Sequence, residues 1–167
     1  MTKATATVYL SNLGDDVCSP FFDKEGIFHA IVQNSGVVLS LDPSGKMTTT
    51  HATDGQPSGA VYDESGTLFV TDIGHGAVLA VQDGVQDAVV AVYEDRPLKG
   101  PSSITTDKFG NIFFTDSGPL GETGLASPSG SVFCIANSPG GQILKPISLS
   151  NLAYPCGIAV SPDGKFV

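Results

Sequence analysis

Residues 100–116, from Gly100 to Asp116, read GPSSITTDKFGNIFFTD. A turn, a short apolar strand, a tight turn closed by Gly110 and a second apolar strand ending in Thr-Asp follow one another within it. The pattern recurs three more times in looser form. Residues 57–72 read PSGAVYDESGTLFVTD, residues 155–167 read PCGIAVSPDGKFV, and residues 17–30 read VCSPFFDKEGIFHA, with Val17 in the proline's place. The shared glycines are Gly26, Gly66, Gly110 and Gly164, spaced by 40, 44 and 54 residues. In three copies a proline stands nine residues before that glycine: Pro57, Pro101 and Pro155. Repeats of about 40–50 residues, with several strands each, predict the blades of an all-β propeller.

The chain has 167 residues and a net charge of −9. That is enough for one compact domain, yet short for a propeller of four or more blades. Only 15% of residues are charged, while Gly numbers 20 and Pro 11, as expected of short strands joined by turns. The eight Lys and Arg are scattered singly. A phosphate backbone needs clustered cations, so no nucleic-acid partner is expected. The longest apolar run, 27–41, is interrupted by Gln33, Asn34 and Gly36, so no membrane span is expected. Residues 1–7, MTKATAT, lack the apolar core of a secretory leader, and the cysteines lack CxxC spacing. An intracellular, cytoplasmic location is the resulting expectation.

In order, residues 4–10, ATATVYL, predict a strand that closes the ring in the last blade. Blade one is expected at about Val17 to Thr50, with strands near 18–22, 26–33, 37–42 and 46–50. Its turns DKEG, NSG and DPSGK carry hairpin residues. Blade two is expected at about His51 to Pro97, with strands near 59–62, 68–72, 77–82 and 88–93. Blade three is expected at about Leu98 to Ala153, with an insertion at 117–129 rich in Gly, Pro and Ser before strands near 131–136 and 142–148. Such an insertion belongs at a rim or face. Blade four begins at Tyr154 and reaches Val167 inside its second strand. No strong helix is predicted. About three and a half blades are thus present, and the remaining half of the propeller, or a protein partner, is expected to complete the ring.

Pro-x-Gly with an apolar strand, then Asp-x-x-Gly with a strand ending in Thr-Asp, resembles the SMP-30/gluconolactonase/LRE-like superfamily. NHL-repeat and strictosidine synthase-like propellers are related to it. Blade three, GPSSITTDKFGNIFFTDSG, and blade four, YPCGIAVSPDGKFV, are most similar. The stretch DIGHGAV at 72–78 is similar to an NHL signature, of which only His75 survives from the Asn-His-Arg part. The resemblance implies a ring of six blades. In the metal-dependent lactonases of this superfamily it also implies one divalent cation at the channel mouth. The matching ligand positions here are Cys18, Ser58, Ser102 and Cys156, none of which carries a carboxylate or carboxamide. Calcium favours several such oxygens. Any cation, calcium or zinc, would need residues beyond Val167.

These four residues are the candidates for a channel-mouth pocket. Two readings stand side by side: small neutral side chains filling the top of the channel, or thiols for a softer metal such as zinc. A thiol nucleophile would need a base, and no His falls at an equivalent position. Cys134 is expected to be buried, His29 to lie at a strand edge, His51 to meet solvent and His75 to serve its turn. Asp72 and Asp116 end matching strands and are expected to accept backbone N–H groups. No catalytic residue is assigned. The leading expectation is a non-catalytic interaction or scaffold module in a larger assembly. The alternative is a divalent-metal-dependent lactonase or esterase. A metal-free strictosidine synthase-like enzyme would need a channel-facing carboxylate, for which no residue stands out.

Overall fold

A computed structural model describes residues 4–8, 11–119 and 121–167. Its local logic is the Asp-x-x-Gly turn. The Asp63 carboxylate accepts the N–H groups of Ser65 and Thr67, each at 2.9 Å, and Gly66 N–H closes the turn on Asp63 O at 3.1 Å. Asp107 repeats this with Phe109, Asn111 and Gly110. Asp42 repeats it with Ser44, Lys46 and Gly45. The glycines are left-handed, at φ 82° for Gly45, 89° for Gly66 and 77° for Gly110. A side chain with a Cβ resists that conformation, which explains why glycine holds the fixed place in the repeat.

These turns join neighbouring strands within three four-stranded antiparallel sheets, each strand beside its predecessor. The first holds β1 (Val17–Phe22), β2 (Phe28–Val32), β3 (Val37–Leu41) and β4 (Met47–Ala52). The second holds β5 (Pro57–Tyr62), β6 (Leu68–Asp72), β7 (Ala77–Gln82) and β8 (Val85–Val90). A ribbon of β9 (Val92–Tyr93) and β10 (Arg96–Pro97) follows. The third sheet holds β11 (Pro101–Thr106), β12 (Ile112–Asp116), β13 (Gly130–Ser138) and β14 (Gly141–Leu152). One turn of 3-10 helix, Gln33–Ser35, links β2 to β3.

The sheets stack face to face. Ile31 and Val38 of the first sheet pack with Ala60, Leu68, Val70 and Leu79 of the second. Phe69 and Val78 on the second sheet's other face pack with Ile104, Ile112, Phe114 and Phe133 of the third. Cover on both faces leaves every residue of β6, LFVTD, buried. Gly59 lets the inner strands of sheets two and three approach: a Cβ there would lie 2.5 Å from Ser102 O and 2.7 Å from Thr71 Oγ1.

Four sequence expectations are corrected. Residues 154–167 form no strand, although the repeat's turn survives, with Gly164 N–H donating to Ser161 O at 2.8 Å. Residues 4–8 are exposed and form no strand, while Tyr9 and Leu10 of the expected closing strand lie outside the described residues. An extended segment becomes a strand only with a ladder partner, and neither segment has one among the described residues. The strand expected at 88–93 is instead β8, which ends at Val90, and part of the ribbon. Cys134 is half-buried, because it lies on the face of β13 turned away from Phe133 and Ile135.

Candidate functional site

The inner strands β1, β5 and β11 each carry a register irregularity near their start: between Cys18 and Phe21, between Pro57 and Gly59, and between Pro101 and Ile104. A bulge re-aims side chains. Ser19 shares in this with a left-handed φ of 48°. Ser58 Oγ consequently points between sheets, 2.8 Å from Pro101 O, 3.1 Å from Ser102 O, 3.1 Å from Thr71 O and 3.2 Å from Thr71 Oγ1. Its one hydrogen is committed within this cluster. Thr71 Oγ1 lies 2.6 Å from Ser102 O, so its hydroxyl ties the same two blades. One blade earlier, Ser19 Oγ–H donates to Ser58 O, and Cys18 Sγ lies 4.0 Å from the same carbonyl. After the third sheet, Ser117 Oγ–H donates to Pro155 O, which ties the following segment to the end of β12 at Pro155.

Of the four sequence candidates, the structure brings Cys18 and Ser58 together and places Ser102 in the next strand, contributing its carbonyl. Cys156 is exposed in the irregular segment. Burial pushes the Cys18 thiol above its ordinary value and nearby Asp16 adds to this, against the opposing hydrogen bond with Ser19. A thiol held protonated is a poor nucleophile and a poor metal ligand. Among the described residues no three His, Cys, Asp or Glu side chains gather closely enough to hold a metal ion. The buried strand-end carboxylates are engaged with amides. Asp72 Oδ1 accepts from Gln56 N and His75 N, each at 2.9 Å. Asp116 Oδ1 accepts from Gly100 N at 2.7 Å and Lys99 N at 2.9 Å. Both carboxylates therefore accept backbone N–H groups, as their repeat position predicts. The donor set at this end does not fit a hard divalent cation.

What the three inner strands do enclose is a groove of about 290 Å³. Ser19, Phe21, Gly59, Val61, Ser103 and Thr105 line it, and Ile158 of the following segment closes one side. Among the described residues no titratable side chain lines it. Sequence reasoning missed Ser19, Ser103 and Thr105, which alternate with or adjoin the positions it chose. The period-two alternation of a strand was the available signal, and the bulges hid its phase.

None of the histidines lines this groove. His29 is 3% exposed on β2, an interior strand of its sheet, rather than at an edge. Its ring stacks on Phe21 at 5.0 Å, meets Tyr62 edge-on at 5.2 Å and lies 3.0 Å from Asp23 Oδ2 through Nε2. His51 is partly exposed and bonds Gln86 Oε1 at 2.7 Å. His75 serves its turn as expected, its N–H on Asp72 and its ring 2.8 Å from Thr53 O.

No protein-family model and no curated protein matches the sequence. Solved structures do. A gluconolactonase from Xanthomonas campestris, described as important in glucose secondary metabolic pathways, superposes with a TM-score of 0.73 at 22% identity, covering 89% of this chain and 52% of that one. The calcium-binding protein regucalcin from Agrobacterium tumefaciens gives 0.68 at 20% identity, over 87% of this chain and 47% of its own. Virginiamycin B lyase from Staphylococcus aureus gives 0.66 at 15% identity, over 93% and 49%. The chain thus spans about half the length of the structures it matches. Among the described residues no helix is long and apolar enough to cross a membrane. Three sequential four-stranded sheets, superposing on about half of each of these proteins, give the chain a β-propeller fold.

Proposed function

We propose that this chain is part of a lactone-processing propeller of the gluconolactonase kind, and that its three blades supply the substrate wall of the central channel. The observation that carries the reading is the groove where β1, β5 and β11 converge. Ser103 and Thr105 line it with hydroxyl-bearing side chains beside Phe21, Val61 and Ile158, Ser19 joins them with its own hydrogen already given to Ser58 O, and no charged residue is among the described lining. A cyclic ester presents matching chemistry: a polar carboxyl edge for hydroxyl donors and an apolar ring for the aliphatic wall. The three blades hold and orient such a molecule and exclude water. In this reading, acid–base and electrophilic groups belong to the other blades of a complete ring. The likeness to gluconolactonase supports this reading over the scaffold role expected from the sequence.

Binding of δ-valerolactone, followed by calorimetry, tests it. Ser103→Phe fills the groove and abolishes binding. Thr105→Val removes one hydroxyl and weakens binding by about 2- to 10-fold, the worth of one neutral hydrogen bond. Undiminished binding in Ser103→Phe, or no binding by the parent chain, overturns the reading. One observation favours the interaction module as a second reading. Phe22 is 68% exposed on the first sheet, beside a groove of about 460 Å³ lined by Phe28, Leu41 and Pro43. Exposed apolar surface of this kind marks a contact site.

A further inference from the structure

The β9–β10 ribbon interrupts the repeat. Sheets one and two are joined by residues 53–56, whereas residues 91–100 separate β8 from β11. The ribbon turns through Glu94 and Asp95, both left-handed at φ 48° and 60°. A two-residue hairpin of that handedness favours Asn-Gly, so the two acidic residues hold an unfavourable backbone conformation. Strain of this kind gathers at ligand sites.

The ribbon overhangs β13 and β14 and closes a cavity of about 70 Å³. By the volume one water needs, that is room for about five waters, and so for a side chain of four or five heavy atoms. Tyr93, Leu98, Phe133 and Leu149 form its apolar lining. The Tyr93 and Phe133 rings stand 5.2 Å apart. Ser131, 2% exposed, opens onto the cavity: its Oγ accepts Ser150 N–H at 2.9 Å, and its own hydrogen goes to no acceptor among the described residues.

The rim carries both signs of charge. Arg96 and Lys99 are exposed and form no ion pair among the described residues, although Lys99 Nζ donates to Ser129 O at 2.8 Å. Glu94 accepts only the Tyr93 phenol, at 3.1 Å. Asp116 is sealed by the amides of Lys99 and Gly100. Two available cations, one available carboxylate and a small apolar interior match one ligand chemistry.

We propose that this cavity binds a free apolar α-amino acid as its zwitterion. Arg96 and Lys99 face the carboxylate, Glu94 faces the ammonium, and the side chain enters between Leu98, Phe133 and Leu149. An anion alone would meet Glu94 and Asp116, and a cation alone would meet Arg96 and Lys99. The site is separate from the central groove, so its test does not depend on lactone binding.

The test is a titration of the full chain with L-leucine, followed by NMR at the Leu98, Phe133 and Leu149 signals. 4-Methylpentanoate and isoamylamine, which each lack one charge, are run beside it. Saturable shifts with leucine, at least tenfold weaker with either analogue, are expected. Arg96→Gln, an exposed change that spares the core, weakens leucine by about tenfold or more, the worth of a charge-assisted hydrogen bond. Glu94→Gln weakens leucine and leaves 4-methylpentanoate no weaker. Absence of saturable shifts, or analogues that bind as tightly as leucine, overturns the proposal.

Discussion

A single hydroxyl, Ser58 Oγ, sits within 3.2 Å of four oxygens drawn from two sheets. Next to it Gly59 leaves no room for a Cβ. The pair explains why Pro-Ser-Gly opens an inner strand: the hydroxyl ties the blades and the glycine lets them meet. Gly59→Ala is expected to destabilise the chain by about 1–3 kcal/mol, the usual cost of overpacking. Gly66→Ala is expected to cost about 1–2 kcal/mol for a different reason, since nothing lies within 4 Å of the added carbon but φ is 89°. The causes separate on replacement by Asn, which tolerates the left-handed region. Urea midpoints should show partial recovery for Gly66→Asn and none for Gly59→Asn. Equal losses for both Asn variants would contradict this division.

At the scale of the element, the Asp-x-x-Gly hairpin is the unit that carries pH dependence. Burial pushes the Asp107 carboxyl up, but hydrogen bonds from Asn111 and the N–H of Phe109 outweigh it, and the group titrates below its ordinary value. Asp23 behaves likewise, with burial opposed by His29 and the Ile27 N–H. At Asp42 the Ser44 hydroxyl and the Lys46 N–H lower the carboxyl. A carboxylate depressed on folding adds stability that is fully present above its unfolded value. That stability is lost as pH falls through the folded one. Stability should therefore hold from neutrality down to the ordinary carboxylate range near 3.8 and fall below it. Asp107→Asn, which keeps the shape, should flatten that fall in pH-dependent urea melts; an unchanged profile would refute the assignment. The hairpins were readable in advance because their chemistry is local, with Asp and Gly three residues apart. The bulges of β1, β5 and β11 were not, because they arise where neighbouring sheets meet. That the groove is lined by Ser103, next to the candidate Ser102, follows from them. His29 illustrates the same limit: its burial between Phe21 and Tyr62 depends on a residue 33 positions away.

At the scale of the molecule, two apolar interfaces hold three sheets in a stack, and the fold was legible from the repeat alone. Residues 4–8 of one expected strand, and the strands expected at 154–167, were written in the right alphabet but lack ladder partners among the described residues. His29 crosses the first interface. His29→Leu keeps the bulk yet leaves the mostly covered Asp23 carboxylate without its ring partner. It should cost about 1–3 kcal/mol, and the combined Asp23→Asn, His29→Leu change should recover part of that loss in a double-mutant cycle. Simple additivity would show that the pair is not coupled.

The proposed function has these blades present a hydroxyl-lined wall, without charged side chains among the described lining, to a cyclic ester. The most direct test is an NMR titration of the chain with δ-valerolactone in chelator, then with excess calcium. Saturable shifts at Ser19, Gly59, Ser103 and Thr105 are expected in chelator, unchanged by calcium. Shifts that appear only with calcium, or that fall outside the groove, would contradict it.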